Sequence, residues 1–217
     1  MKKISVKIEK NCKYIIGIDE VGRGPLAGPL AIGVVCIPVL ENLELPDALA
    51  REFPVTRDSK QLSVKGRDEH FKKIKELQRK DLLQFVVRYT APEIIDKSGL
   101  TKALESAIRR ALSHLAVDPA KSYIYLDGSL KAPREYTNQR TIIKGDETEL
   151  PIALASIVAK VARDRKMCLL AKQYPGYGFE SHKGYCTKLH TNPIRAYGLC
   201  KIHRRSFCHW YTAGHIA

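Results

Sequence analysis

Asp19 and Glu20 are adjacent carboxylates at the end of Tyr14-Ile-Ile-Gly-Ile, a run of mostly β-branched or aromatic residues, and a Gly/Pro-rich turn follows from Gly22 to Pro29. Acids held side by side repel each other, so something must offset their charge, and a divalent cation is the usual agent. Two more β-prone runs reach acids in the same way: Tyr123 to Asp127, and Arg140 to Lys144, which continues through Gly145 to Asp146. If these strands are neighbours, Asp19, Glu20, Asp127 and Asp146 meet at one edge of a sheet. Four hard oxygen donors suit Mg²⁺ or Mn²⁺. Two such ions a few ångströms apart would activate a water and stabilise a leaving 3′ oxygen, the chemistry of phosphodiester hydrolysis. Taken alone, Asp127-Gly128 is also common turn chemistry; two acids closing an apolar strand are harder to explain by folding. Asp164 competes with Asp146 for the fourth position, but its neighbours Arg163 and Arg165 offer it local ion pairs, so Asp146 is the favoured ligand.

The rest of the chain carries the opposite charge. Among 217 residues, 37 Lys and Arg stand against 23 Asp and Glu, a formal net charge of +14. The stretch from Lys160 to Arg205 holds eleven Lys/Arg and only Asp164 and Glu180 as acids. Interleaved with aromatics and glycines, that stretch reads as a contact surface for a polyanion. No apolar core suited to an export signal occurs between Met1 and Lys13. The longest uncharged run, Gly24 to Leu40, has 17 residues broken by three prolines and three glycines, too short and irregular for a membrane span. Six cysteines without a signal peptide read as reduced thiols of a cytoplasmic protein, expected to be a monomer. Cys186, His190, Cys200, His203, Cys208 and His209 cluster near the C-terminus, yet their spacings form no clean pair of zinc-ligand units.

Several elements must position these acids. Tyr14 to Asp19 and Leu30 to Ile37 are apolar enough for strands covered on both faces. Ser63 can cap a helix running to about Lys80, with Phe71, Ile74 and Leu77 at helical spacing. Leu82 to Tyr89 reads as a strand, and Thr101 to Leu115 as a helix with Leu104, Ile108, Leu112 and Leu115 on one stripe. Pro151 suits the first turn of a long helix ending near Tyr174, and a short helix fits Asn192 to Tyr197. The order β-β-α-β-α-β-β-α predicts a mixed α/β sheet, with residues 1–174 as catalytic domain and 175–217 as an extension packed on it.

At this point the residues resemble a known family, ribonuclease HII, the type 2 ribonucleases H. The opening Gly17-Ile-Asp-Glu-Val-Gly-Arg-Gly-Pro-Leu-Ala-Gly-Pro29 is similar to its signature. The likeness continues through Asp58-Ser-Lys-Gln-Leu-Ser63, Tyr125-Leu-Asp-Gly128, Lys144-Gly-Asp146, Ile152 to Arg165, Tyr174 to Phe179, His182-Lys-Gly-Tyr-Cys-Thr187 and His203-Arg-Arg-Ser-Phe207, all in family order. The resemblance implies a ribonuclease H-like fold, a mixed β-sheet flanked by helices with a helical, loop-rich C-terminal extension. It implies Asp19, Glu20, Asp127 and Asp146 as catalytic metal ligands. It also implies that Gly22, Arg23 and Gly24 read the 2′-hydroxyl of a ribonucleotide, that Tyr185 stacks beside the junction, and that Lys60, Ser156 and Lys183 contact phosphates. The implied substrates are RNA/DNA hybrids and duplex DNA with embedded ribonucleotides, cut on the 5′ side to leave a 3′-hydroxyl and a 5′-phosphate. Cys186 departs from the family's usual glycine or proline, and a left-handed backbone there would strain the turn that carries Tyr185. The sister family, ribonuclease HIII, usually has an extra N-terminal domain; about 13 residues before the first strand favour HII.

Other readings explain less. A dinucleotide-binding turn would need G-x-G-x-x-G, whereas Gly22, Gly24 and Gly28 are spaced differently, Pro25 intervenes, and two acids would repel a pyrophosphate. No P-loop segment is present. A non-catalytic nucleic-acid-binding module would account for the charge but not for acids at three strand ends, since carboxylates weaken phosphate binding unless metal is present.

Overall fold

The computed structural model of the protein describes residues 12–39, 49, 53 and 62–212. Five strands form one sheet, β1 (Tyr14–Val21), β2 (Leu30–Pro38), β3 (Gln84–Thr90), β4 (Ser122–Asp127) and β5 (Gln139–Ile142), in the order β3-β2-β1-β4-β5. β1 pairs antiparallel with β2 and parallel with β4, and β4 is parallel to β5. The mixed sheet anticipated from the alternation of elements is therefore present, with β1 and β4 side by side.

Both faces of the sheet are covered, which explains why β1 and β2 are apolar on both sides. On one face Ile16, Ile18, Leu30, Ile32 and Val34 pack against Ala107, Ile108, Ala111 and Leu112 of α3 (Leu100–Leu115). A short helix, α2 (Pro92–Ser98), precedes α3. On the other face Val35 and Ile37 meet α1 (Val64–Arg79) and the long α4 (Leu150–Gln173) through Phe71, Ile74, Leu154 and Val158. Fully burying an aliphatic side chain contributes about 1.5–3 kcal/mol, so these two layers hold the sheet rigid. Ser63 caps α1 as expected, its hydroxyl accepting from Gly66 N–H at 3.1 Å.

The long helix α4 packs very closely on the sheet. A Cβ on Gly17 would lie 2.0 Å from the Pro151 carbonyl, and one on Gly33 would lie 2.4 Å from Ala155 O. Two glycines on adjacent strands thus let the helix backbone rest directly on β1 and β2. The side-chain alternation of a strand then puts Asp19 on the same face as Gly17, beneath the first turns of α4.

Sequence reading missed α2, whose start is set by Pro92. It began β3 two residues early: Asp81 turns left-handed (φ 55°) and Leu82 N–H closes back onto Leu77 O. After α4 come α5 (Phe179–His182), α6 (Lys188–Tyr197) and α7 (His209–Thr212). The predicted helix at Asn192 to Tyr197 is the second half of α6. Among the described residues, no helix is long and apolar enough to cross a membrane.

Candidate active site

Asp19 is 6% exposed near the end of β1, and Ile18 pairs with Leu126, so Asp127 of β4 stands beside it one step further on. Asp19 Oδ1 accepts from Glu20 N–H at 2.7 Å. Its carboxyl is pushed well above the usual carboxylate range, first by burial and then by the charge of Glu20; a hydrogen bond from Ser156 opposes the rise, Asp127 adds to it, and the Glu20 N–H lowers it. Asp146 is 2% exposed in the tight turn Gly145–Glu147 that follows β5. That turn is tied to β4 by Gly145 N–H, which donates to Asp127 Oδ1 at 2.8 Å. The four acids predicted from strand ends therefore lie on two adjacent strands, β1 and β4, and in the turn after β5.

Glu20 has one oxygen on Arg23 Nη1 at 2.9 Å; the other, Oε2, is buried with no hydrogen-bond partner among the described residues. An orphaned carboxylate oxygen beside a second acid is the kind of group a cation satisfies. Among the described residues no three His, Cys, Asp or Glu side chains form a ready-made metal cage. Acids gathered at neighbouring strand ends fit a hard divalent ion that keeps several waters and borrows ligands from a phosphate.

Asp164 is elsewhere. It accepts from Lys160 Nζ at 3.0 Å, one turn back on α4, while Arg165 bonds Asp68 at 2.8 Å and Arg163 binds only backbone carbonyls. The ion pairs expected with Arg163 and Arg165 are corrected accordingly. Asp164 has a local partner, but it is Lys160.

The glycine-rich turn after Glu20 sits on buried cations. Gly22 has φ +88°, and a Cβ there would lie 2.2 Å from Arg163 Nε; a Cβ on Gly24 would meet nothing within 4 Å. The first glycine is thus required by the fold, whereas the second leaves backbone open to solvent. Arg204, also fully buried, donates to Gly22 O at 2.7 Å, Arg23 O at 2.8 Å and Gly28 O at 2.9 Å. Burial lowers its guanidinium to about 10, so it remains charged at neutral pH.

Tyr185 is carried to this turn from 160 residues away in sequence. Leu26 N–H donates to Gly184 O at 2.8 Å, and the Tyr185 ring, 38% exposed, lies 5.8 Å from the Arg163 guanidinium carbon. The strain foreseen at Cys186 does not arise: the left-handed residues of this turn are Lys183 (φ 52°) and Gly184 (φ 86°). Ser156 is buried with its hydroxyl engaged on Asp19, a different use from the implied phosphate contact. Lys183 Nζ is engaged at the surface by Glu180 O and by Cys168 Sγ. Lys60 lies outside the described residues.

The histidines near the C-terminus form a structural stack rather than a scatter of isolated rings. His182 and His190 rings are 4.3 Å apart, and His190 Nε2 is 3.1 Å from His203 Nε2. Cys200 N–H donates to His203 Nδ1 at 2.9 Å, which leaves His203 Nε2–H to donate to His190 Nε2, and His190 Nδ1–H to donate to Tyr185 O at 3.0 Å. Both rings are then neutral, in keeping with values pushed down to about 4, chiefly by burial. Arg163, Arg204 and this stack escaped sequence reading. Arg163 had a signal: it shares the buried stripe of α4 with Ala159, Met167 and Leu170, where a cation has no reason to be unless it has a partner.

A family model described as Ribonuclease HII matches residues 16–210. Ribonuclease HII of Endomicrobium trichonymphae is 42% identical over 193 residues, 89% of this chain and 84% of that protein. The crystal structure of ribonuclease H2 from Pyrococcus horikoshii OT3 superposes with a TM-score of 0.69 at 27% identity, covering 93% of this chain and 98% of that one. Bst-RNase HIII in complex with Mn²⁺ shares the fold, with a TM-score of 0.62 at 20% identity over 91% of this chain and 66% of that one. With the family's matched span running from the acid-tipped β1 through the C-terminal segment that carries Tyr185, the chain belongs to the ribonuclease HII family and is an endoribonuclease.

Proposed function

We propose that this endoribonuclease cuts the RNA strand of RNA/DNA hybrids and also nicks duplex DNA 5′ to a single embedded ribonucleotide, leaving a 3′-hydroxyl and a 5′-phosphate. Membership of the ribonuclease HII family supports the hybrid substrate and a divalent-metal requirement. Asp19, Glu20, Asp127 and Asp146 are the residues that would hold Mg²⁺ or Mn²⁺. Bound there, a pair of such ions supplies an activated water and neutralises a leaving oxygen.

The observation that carries this reading is the electrostatic conflict at the sheet edge. Asp19 is buried against Glu20 and Asp127, and one Glu20 oxygen has no hydrogen-bond partner among the described residues. Folding alone offers no gain for that arrangement. Ser156 and the Glu20 N–H hold the Asp19 carboxylate in one orientation, which limits the reorganisation needed during reaction.

The junction reading rests on the Gly22–Gly24 turn and Tyr185. The open side of Gly24 leaves backbone groups able to approach a sugar, and the 2′-hydroxyl distinguishes RNA from DNA. The half-exposed Tyr185 ring offers a stacking face beside that turn. The segment after Tyr174 is thereby the part that grips the substrate, and the sheet edge the part that cuts it.

Cleavage of an end-labelled DNA duplex with one ribonucleotide tests the proposal, with Mg²⁺, Mn²⁺ or EDTA and with Asp19→Asn beside the wild type. The expected result is a metal-dependent nick 5′ to the ribonucleotide, reduced at least ~10³-fold in the variant while duplex binding persists. Wild-type rates in Asp19→Asn would remove the sheet edge from the chemistry. Cleavage of long hybrids alone would leave the nuclease standing and overturn the junction reading.

A further inference from the structure

We propose that Arg163 is a positioning residue for ribonucleotide recognition, locking the Gly22–Pro29 turn to the turn that carries Tyr185. The inference deepens the junction reading above and depends on it.

Arg163 is fully buried in the middle of α4. Its Nε donates to Pro29 O at 2.9 Å, and its Nη2 to Ala27 O at 3.4 Å and to Lys183 O at 3.0 Å. One planar group therefore bonds both turns at once. On one side Gly22 rests against it, so closely that a Cβ would lie 2.2 Å from Nε; on the other lies the Tyr185 ring, 5.8 Å from Cζ. Arg204 differs in this respect, since its bonds go only to Gly22, Arg23 and Gly28.

Cohesion alone is a weak reason for such a group. Arg163 makes no ion pair with a carboxylate among the described residues, and its Nη1 is buried there without a hydrogen-bond partner. A buried guanidinium with no carboxylate beside it and one nitrogen unpaired is costly to bury, and an apolar side chain of similar volume commonly serves stability as well or better. A guanidinium does provide a rigid fork whose bonds fix the angle between two segments. It also places a cation beneath an aromatic face. Lys183 is held left-handed, at φ 52°, with its carbonyl presented to that fork. Together with the direct Leu26 N–H to Gly184 O bond, Arg163 thus fixes the separation between the turn assigned to the ribose and the ring assigned to the neighbouring nucleotide.

A double-mutant cycle on the full-length protein, scored on the single-ribonucleotide duplex, tests this. Tyr185→Ala and Arg163→Lys are each expected to raise KM about tenfold with kcat held within about threefold, and the double variant to lose little more than either single one. Arg204→Lys serves as the control, its loss multiplying with that of Tyr185→Ala. Multiplicative losses for Arg163→Lys as well would reduce Arg163 to a merely structural part and overturn the proposal. If Arg163→Lys fails to fold, the Arg163 Nε–H resonance of the wild type decides the matter. It should be protected from exchange and should shift in Tyr185→Ala; an unchanged resonance overturns the proposal. Absence of junction cleavage by the wild type would sink the underlying reading as well, whereas junction cleavage with uncoupled residues would sink only this one.

Discussion

The sheet edge and the C-terminal clasp both bury charge, and they handle it in opposite ways. At the sheet edge, acids are gathered with too few donors: Asp19 is crowded by Glu20 and Asp127, and Glu20 Oε2 has no hydrogen-bond partner among the described residues. In the clasp, two guanidiniums are buried against backbone carbonyls, and His190 and His203 stay neutral in a chain of directed hydrogen bonds. The first region is less stable for its arrangement and gains from whatever neutralises it. The second holds its geometry through directed hydrogen bonds to backbone carbonyls, although Arg163 Nη1 is left without a partner among the described residues. The proposed site for chemistry and the proposed site for positioning should thus differ in the sign of their response to neutralisation.

The largest test of that contrast pairs two variants in EDTA at pH 8. Arg204→Met strips hydrogen bonds from Gly22 O, Arg23 O and Gly28 O. Buried carbonyls left unsatisfied cost about 1–3 kcal/mol each, and after relief of the buried charge a net loss of about 3 kcal/mol is expected. At roughly 2–4 °C per kcal/mol for a chain of this size, Tm should fall by about 6–12 °C. Asp19→Asn should raise Tm instead, because it removes a carboxylate whose ionisation the fold resists. Calorimetry that found both variants destabilised would erase the distinction between the two regions.

Acid should separate the regions next. The values of His190 and His203 are pushed down to about 4 from an ordinary 6.5. Between those limits the unfolded chain binds more protons than the folded one, so stability is full above about pH 6.5 and is lost as pH falls toward 4. One pKa unit is about 1.4 kcal/mol, which sets a ceiling of about 3 kcal/mol for each ring. Asp19 has the reverse slope: its raised value means that the folded state holds the proton more tightly, so protonation in acid relieves it. Urea midpoints at pH 7.5 and 5.0 should fall for the wild type and fall further, relative to pH 7.5, in Asp19→Asn, which has no carboxyl to relieve. A flat wild-type profile would mean that the imidazole stack is not held neutral.

The sheet edge was legible in the sequence because strand ends are local. Apolar runs stop at Asp19, Asp127 and near Asp146, and the parallel pairing of β1 with β4 then brings the first two together. The helices that carry the core were equally legible from periodicity, as with Phe71, Ile74 and Leu77 of α1. The clasp was not, since the bonds that tie it to the Gly22–Pro29 turn join residues more than 100 positions apart and run to backbone carbonyls that no side-chain pattern records. Ser156 shows the same limit. The family resemblance implied a phosphate contact for it, but the close approach of α4 at Gly17 and Gly33 turns Ser156 inward to Asp19.

The smallest effect sharpens the border of the acidic region. Asp164 lies two turns along α4 from Ser156 and was a rival to Asp146 as the fourth acid. Its bond to Lys160 is an i,i+4 pair between partly exposed side chains, a kind that contributes about 0.3–0.5 kcal/mol. Asp146 is 2% exposed, and the residue before it is bonded to Asp127. Asp164→Asn should therefore keep cleavage within about twofold of wild type and shift Tm by no more than about 2 °C, while Asp146→Asn loses at least ~10²-fold in turnover at saturating metal. The two variants differ by a single oxygen-to-nitrogen exchange at each position, so their comparison isolates location from chemistry. A turnover loss at Asp164 with Asp146→Asn unaffected would move the site one edge further along α4, toward Cys168 and Lys183, and would take the cutting and gripping regions as one.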